Sequence, residues 1–331
     1  MVYQIVWLRL AYASFGINTQ VLSVVLSVFM AGLGLGSWVG GLLARRFPRF
    51  SIYGYAFAEG LIGLGAFLVP VLFLAGERQL LILGGTGSFS YLFLSALVIL
   101  FVLFPWCFCM GATFPLALGF LQKDRSLLPE SFSFLYVANV LGAMSGVLVS
   151  SALLIEWLGF RGTLSVAACL NFAISLFVLT VARAEKPAHA SKTPTFKTKN
   201  KAANKKENAL LLLALTGFIS MALEVVWTRA FTIILRTQVY SFAALLFTYL
   251  LATVIGSALY RRDLRRGTPL SERQLLGYAS LLVLAPVVLN DPRIHHSALG
   301  VLLSLIPFCV TLGYLTPQLV DSYSQGQPDK A

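Results

Sequence analysis

The sequence predicts an all-α polytopic integral membrane protein of about ten transmembrane helices, built as two parallel repeats of which the second is incomplete. Three observations carry this reading. Of 331 residues, 58% are hydrophobic and only 11% charged, and the mean hydropathy is +0.82, which excludes an ordinary soluble globular domain. The apolar residues are gathered into runs long enough to cross a bilayer, where about 20 residues of helix suffice and only helices or closed barrels satisfy their own backbone. A phrase that sets an arginine inside an apolar run, "VYQIVWLRLA" at residues 2–11, returns as "ALEVVWTRAF" at residues 222–231.

Apolar length cuts the chain into spans at residues 1–15, 19–44, 52–75, 91–121, 131–156, 161–183, 209–234, 238–260, 273–289 and 297–320. The loops test these cuts, because cytoplasmic loops collect Lys and Arg. Arg45, Arg46 and Arg49 follow the second span, Lys123 and Arg125 the fourth, and Arg261, Arg262, Arg265 and Arg266 the eighth. The basic stretch from Lys186 to Asn208 follows the sixth. Every even-numbered span therefore ends in the cytoplasm, and both termini are expected there. The opposite loops are short or of mixed charge, as in "GER" at 76–78 and "NDPRIHH" at 290–296, where His295 and His296 read as solvated. The formal net charge of +12 is thus carried by loops rather than by one basic face, so nucleic acid is not an expected partner and the lipid bilayer is. The first span is short and carries Arg9, without the charged n-region or cleavage site of a signal peptide. It reads as a helix lacking its first half, which the later copy supplies as "NALLLLALTGFISM" at 208–221.

These spans divide the chain into a first membrane repeat of six helices at 1–183, a basic and disordered cytoplasmic linker at 184–208, a second repeat of four helices at 209–322 and a cytoplasmic tail at 323–331. Sliding the chain by 220 positions sets Trp7 on Trp227, Arg9 on Arg229, Gly36 on Gly256 and Ser37 on Ser257. Further on, "PWCFCMGATFP" at 105–115 answers "PFCVTLGYLTP" at 307–317, with proline, glycine and proline at equal spacing. A unit with an even number of spans enters the membrane in the same direction each time, which gives parallel repeats like the two halves of major facilitator transporters. Gly32, Gly36 and Gly40 fall on one helical face and predict a close helix crossing. Pro105, Pro115, Pro307 and Pro317 predict fixed bends in their helices. Cys107, Cys109, Cys169 and Cys309 all lie in apolar runs and read as small hydrophobes, with neither a disulfide framework nor a metal site.

Ionisable groups inside a membrane face the bundle interior and either pair or function. Glu59 and Glu224 are the acids at bilayer depth. Trp227 shares the helical face of Glu224, three residues on, whereas Arg229 is rotated from it by about 140° and is a poor partner. Arg9 and Arg229 lie near the ends of their spans, where snorkelling is the plainer alternative to a role in binding. Trp7 is the first-repeat equivalent of Trp227, while Gln4 stands where the second copy has Glu224. Glu59 has no acidic counterpart, its place being taken by Leu282, so it is a candidate for an asymmetric task such as holding a cation or a proton; a hydrogen-bonded structural glutamate is the alternative. Asn139 and Asn171 read mainly as helix bridges, with Asn139 kept as a binding candidate. Acids beside aromatics are the chemistry for a small organic cation, by charge and cation–π contact.

In their order along the chain, "YQIVWLR", "FMAGLGLGSWVGG", "MGATFPLAL", "LYVANVLGAMSG", "LGFRGTL", "LEVVWTR" and the closing "LGYLTPQLVDSYSQGQPDKA" resemble the bacterial membrane-bound spermidine synthase-like family, in which a major-facilitator-like membrane region is fused to an aminopropyltransferase domain. The resemblance implies a multi-pass protein of the bacterial inner membrane and makes a polyamine the natural small cation. The departure matters as much: no aminopropyltransferase motif is present, so no catalytic residue and no cofactor is expected. The glycine-rich "LILGGTGSFSYL" at 81–92 lacks the strand, helix and downstream acid of a nucleoside-binding turn and reads as a loop. Three readings stay open: a transporter-like domain binding or moving a small organic cation, a membrane anchor or scaffold for a cytoplasmic enzyme, and the membrane part of a longer aminopropyltransferase.

Overall fold

The computed structural model describes residues 1–82, 88–121, 131–184, 203–235, 238–290 and 298–324, and among these the backbone is helical almost throughout, with no strand. The loop at 83–87, residues 185–202 of the basic linker, Lys123, Arg125, His295, His296 and residues 325–331 of the tail lie outside the described residues, while linker residues 203–208 are helical. Among the described residues, eight helical runs are long and apolar enough to cross a bilayer. The chain is an all-α membrane protein, with large apolar side chains such as Trp38, Phe57 and Phe101 turned outward where a lipid phase would meet them.

The eight runs differ from the ten sequence-derived spans at identifiable places. Helix α1 (Val2–Phe15) has 14 residues and is too short to count. Helices α2 (Thr19–Arg46), α3 (Ser51–Ile82) and α4 (Ser88–Leu121) follow the expected cuts, each overrunning its apolar core. The run from Leu135 to Arg183 counts once although it joins α5 (Ser131–Val149), a π turn at Ser150–Leu154 and α6 (Ile155–Ala184). It is interrupted at Gly159, whose φ of 64° and ψ of −175° lie in a region that glycine alone occupies readily, and this is where the sequence separates two spans. Helices α7 (Ala203–Leu235) and α8 (Gln238–Arg266) are continuous. The ninth sequence-derived span is broken into α9 (Glu272–Leu282) and α10 (Ala285–Leu289), with Pro286 in the first turn of the latter, where its missing N–H costs nothing. The last helix is α11 (Ala298–Ser324).

By contacts the chain forms two compact units, one holding α1 to α4 with α6, the other holding α5 with α7 to α11. A division at the basic linker, as read from the sequence, keeps α5 with the first. Its Tyr136 instead hydrogen-bonds Ser257 of α8.

In the first unit α2 and α4 cross at close range. A side chain at Gly32 would meet Cys107, one at Gly36 would overlap the carbonyl of Phe108, and one at Gly40 would run into Ala112. Gly111 on α4 lies equally close to Leu33. Gly34, off this stripe, has open space around its Cα. The hydroxyl of Ser37 donates to the carbonyl of Gly111 at 2.9 Å. That carbonyl is four residues before Pro115, which has no N–H to offer it, so the serine of α2 supplies the donor that the helix lacks. Helix α3 is fastened to α6 by Ser175, which donates to the carbonyl of Ala56 at 2.7 Å. Helix α1 is held by Trp7 against Phe29 and by Phe15 edge-on to Phe73.

In the second unit α8 crosses α11 by the same device. Gly256 faces the carbonyl of Val310 and Gly313 faces Thr253, too close for a side chain on either. Ser257 donates to the carbonyl of Gly313 at 2.9 Å, four residues before Pro317. Helices α4 and α11 run unbroken through both of their prolines. At the arginine-bearing end of α8, Tyr260 donates to Asp321 at 2.7 Å and Tyr314 to Asp263 at 3.1 Å. The turn leading into α9 is tied to α11 there: the N–H of Leu270 donates to the Tyr314 hydroxyl at 3.1 Å, and Gln318 donates to the carbonyl of Leu270 at 2.7 Å. Ser271 and Gln274 then close a capping box on α9.

Candidate functional site

The two intramembrane acids have opposite surroundings. Glu59 is buried in the first unit and its Oε2 accepts the side-chain amide of Asn171 at 2.7 Å. Tyr55, one turn earlier on α3, also hydrogen-bonds its carboxyl. Asn171 in turn accepts the hydroxyl of Tyr3 at 3.1 Å. The chain from Tyr3 through Asn171 to Glu59 joins α1, α6 and α3 in one network of neutral donors around a single carboxyl. Asn171 is a bridge between helices, as its residue type suggests, and Glu59 is the group it bridges to.

Glu224 lies in the second unit with no such support. Its Oε1 is sealed from solvent and has no hydrogen-bond partner among the described residues. It lines a cavity of about 20 Å³, with Ser220, Trp227 and Thr228 on its own helix and Phe242, Leu246 and Tyr249 on α8. Spacings of four, seven and eight residues from Ser220 put Glu224, Trp227 and Thr228 on one face of α7. The Ser220 and Tyr249 hydroxyls are 3.2 Å apart, and the Thr228 hydroxyl donates to the carbonyl of Glu224 at 2.7 Å. Trp227 meets Phe308 edge-on with ring centroids 5.7 Å apart, which fixes the aromatic wall beside the acid. The volume holds one water-sized occupant and the lining supplies oxygen atoms to meet it.

The remaining sequence candidates are scattered. Trp7 is fully buried in the first unit, 5.0 Å from the ring of Tyr3, with its indole N–H unpartnered among the described residues. The side-chain amide nitrogen of Gln4 is likewise buried and without a partner among the described residues. Arg9 sets its guanidinium 5.8 Å from the ring centroid of Phe160, and its Nε has no hydrogen-bond partner among the described residues. Asn139 is exposed on α5. Arg229 is on α7, but its side chain lies outside the described part of the structure. Of the candidates, the structure brings Glu224 and Trp227 together at one cavity.

Ser220, Thr228 and Tyr249 were not among the sequence candidates. The spacing of Ser220 and Thr228 around Glu224 carries a signal for the first two, whereas Tyr249 arrives from another helix and has none. Among the described residues, no group of three or more His, Cys, Asp or Glu side chains could hold a metal ion. Two larger grooves of the first unit, about 300 and 350 Å³, are open to the outer surface and lined almost wholly by apolar side chains, as suits lipid chains. No family model, curated protein or solved structure matches the chain.

Proposed function

We propose that this chain is a transporter-like membrane domain that binds a small cation through Glu224. One observation carries the reading: a carboxyl oxygen sealed inside an apolar unit, without a hydrogen-bond partner among the described residues, at a cavity with an aromatic wall. An unpaired ionisable group at membrane depth is costly, and its retention is the mark of a ligand or ion pathway. Glu59, with its donors supplied, is the structural acid of the pair.

The same proposal takes the architecture as ten spans in two parallel, major-facilitator-like repeats, with both termini cytoplasmic in a bacterial inner membrane. The serine-to-carbonyl crossing built by Ser37 and Gly111, and again by Ser257 and Gly313, supports common descent of the two units. The resemblance to the spermidine synthase-like family makes a polyamine the first cation to try, its ammonium end against Glu224 and Trp227. Uptake of labelled spermidine into proteoliposomes tests this. Wild-type protein should accumulate label and Glu224→Gln should not, while equal uptake by both would remove the acid from the mechanism.

A second reading is a membrane anchor or scaffold for a cytoplasmic enzyme, including the membrane part of a longer aminopropyltransferase. The smallness of the Glu224 cavity, about 20 Å³, favours it over passage of a whole polyamine through this conformation. Co-purification of a soluble aminopropyltransferase with the native protein would support the anchor.

A further inference from the structure

The cavity at Glu224 is too small for most of what an organic cation would bring to it. At about 20 Å³ it admits one water-sized body. Its lining offers oxygen atoms as ligands: the Oε1 of Glu224, which has no hydrogen-bond partner among the described residues, the hydroxyls of Ser220 and Tyr249, and the hydroxyl of Thr228, whose proton is committed to the Glu224 carbonyl. No His, Cys or Met, which would select a transition metal, is among its lining residues, and the one nitrogen there, on Trp227, belongs to an indole N–H that is a donor only. The rest of the wall is hydrocarbon and aromatic, so the charge inside must balance locally.

From these facts we infer that the Glu224 cavity is a binding site for one bare alkali-metal cation, Na⁺ or K⁺, held by the Glu224 carboxylate with the Ser220 and Tyr249 hydroxyls. Hard monovalent ions take oxygen ligands. One carboxylate neutralises one positive charge, whereas a divalent ion would leave a net charge buried among Phe242, Leu246 and Leu305. Ser220 and Tyr249 face each other at 3.2 Å, so at most one of them uses its proton on the other, and both keep lone pairs. The inference rests on the reading that Glu224 is the functional acid, and it makes the bound ion a coupling ion rather than the organic solute.

The test uses the full chain in detergent micelles, with thermal unfolding followed by tryptophan fluorescence. NaCl and KCl are titrated against choline chloride at constant ionic strength, and spermidine and methylammonium are titrated separately. A saturable rise in the unfolding midpoint with Na⁺ or K⁺ is expected, about 5 °C at a hundredfold excess over half-saturation. Glu224→Gln should abolish it, Ser220→Ala should move half-saturation upward by about tenfold or more, and Glu59→Gln should leave it in place. If Glu224→Gln does not fold, Ser220→Ala alone carries the test. Equal midpoints in Na⁺, K⁺ and choline would overturn the inference, as would a Na⁺ or K⁺ effect undiminished in the Glu224 and Ser220 variants. Stabilisation by spermidine or methylammonium without any by Na⁺ or K⁺ would overturn the metal ion but keep Glu224 as the group that recognises an organic cation. Stabilisation by none of them would overturn both.

Discussion

Ser257 on α8 donates its hydroxyl to the carbonyl oxygen of Gly313 on α11, and that carbonyl is the one Pro317 leaves without a helical donor. The same relation joins Ser37 to Gly111, four residues before Pro115. Each crossing therefore needs three residue types at once. Glycine allows the backbones to approach, proline strips a carbonyl of its N–H, and serine from the neighbouring helix replaces what was removed.

This predicts non-additive mutational behaviour. Ser257→Ala leaves the Gly313 carbonyl unsatisfied in a buried site and should cost about 1–3 kcal/mol. Restoring an N–H with Pro317→Ala should reduce the cost of the same serine change by about 1 kcal/mol or more, since the helix then satisfies its own carbonyl. Unfolding of the four proteins in one detergent gives the cycle, and strictly additive effects would contradict the account. Ser37 and Pro115 should behave in the same way, with a smaller term because Ser37 sits at the exposed edge of its crossing.

Close approach makes a second prediction. Gly256→Ala would place a methyl group onto the Val310 carbonyl and must push α8 off α11, whereas Gly34→Ala enters open space. The first should lower the thermal midpoint sharply or abolish expression of folded protein. The second should be neutral or stabilising by up to about 1 kcal/mol, from the better helix propensity of alanine.

Legibility in the sequence followed the range of the interaction. Spacings of four within one helix were enough to read the stripe Gly32, Gly36 and Gly40, and apolar length was enough for most spans. Tyr3, Glu59 and Asn171 could not be joined in advance, because the two hydrogen bonds that link them close separations of 168 and 112 residues. The break between α9 and α10 was hidden by composition, since residues 273–289 are apolar enough to read as one span and only Pro286 hints otherwise. The grouping of α5 with the second unit, where its Tyr136 hydrogen-bonds Ser257, is one that no linear division of the chain reveals. Glu224 and Trp227 were legible as one helical face; that their cavity is small and lined with hydroxyls depended on Tyr249 from α8.

The Glu59 network predicts a stability phenotype rather than a functional one. Asn171→Leu removes the amide that bridges Tyr3 and Glu59 and should cost about 1–3 kcal/mol, because it leaves buried polar atoms unpaired. Glu59→Gln keeps an acceptor of the same shape and should cost less than about 1 kcal/mol. Chemical denaturation of the two variants tests the ranking, and a larger loss in Glu59→Gln would mean that the charge itself is needed there.

At the other end of the second unit, Tyr314 holds both Asp263 and the N–H of Leu270. Tyr314→Phe should release the turn at 267–271 while leaving the ring contact with Tyr260 largely intact. Limited proteolysis should then cut this turn several-fold faster than in wild-type protein. An unchanged rate would show that Gln318 and the capping box suffice to hold it.

The central claim is that Glu224, and not Glu59, is the acid that meets a cation. Equilibrium binding of labelled spermidine and of Na⁺ to the purified wild-type, Glu224→Gln and Glu59→Gln proteins tests it most directly. The account predicts that binding of at least one of these cations is lost in Glu224→Gln and retained within about twofold in Glu59→Gln. Wild-type binding in Glu224→Gln, or loss confined to Glu59→Gln, would contradict it.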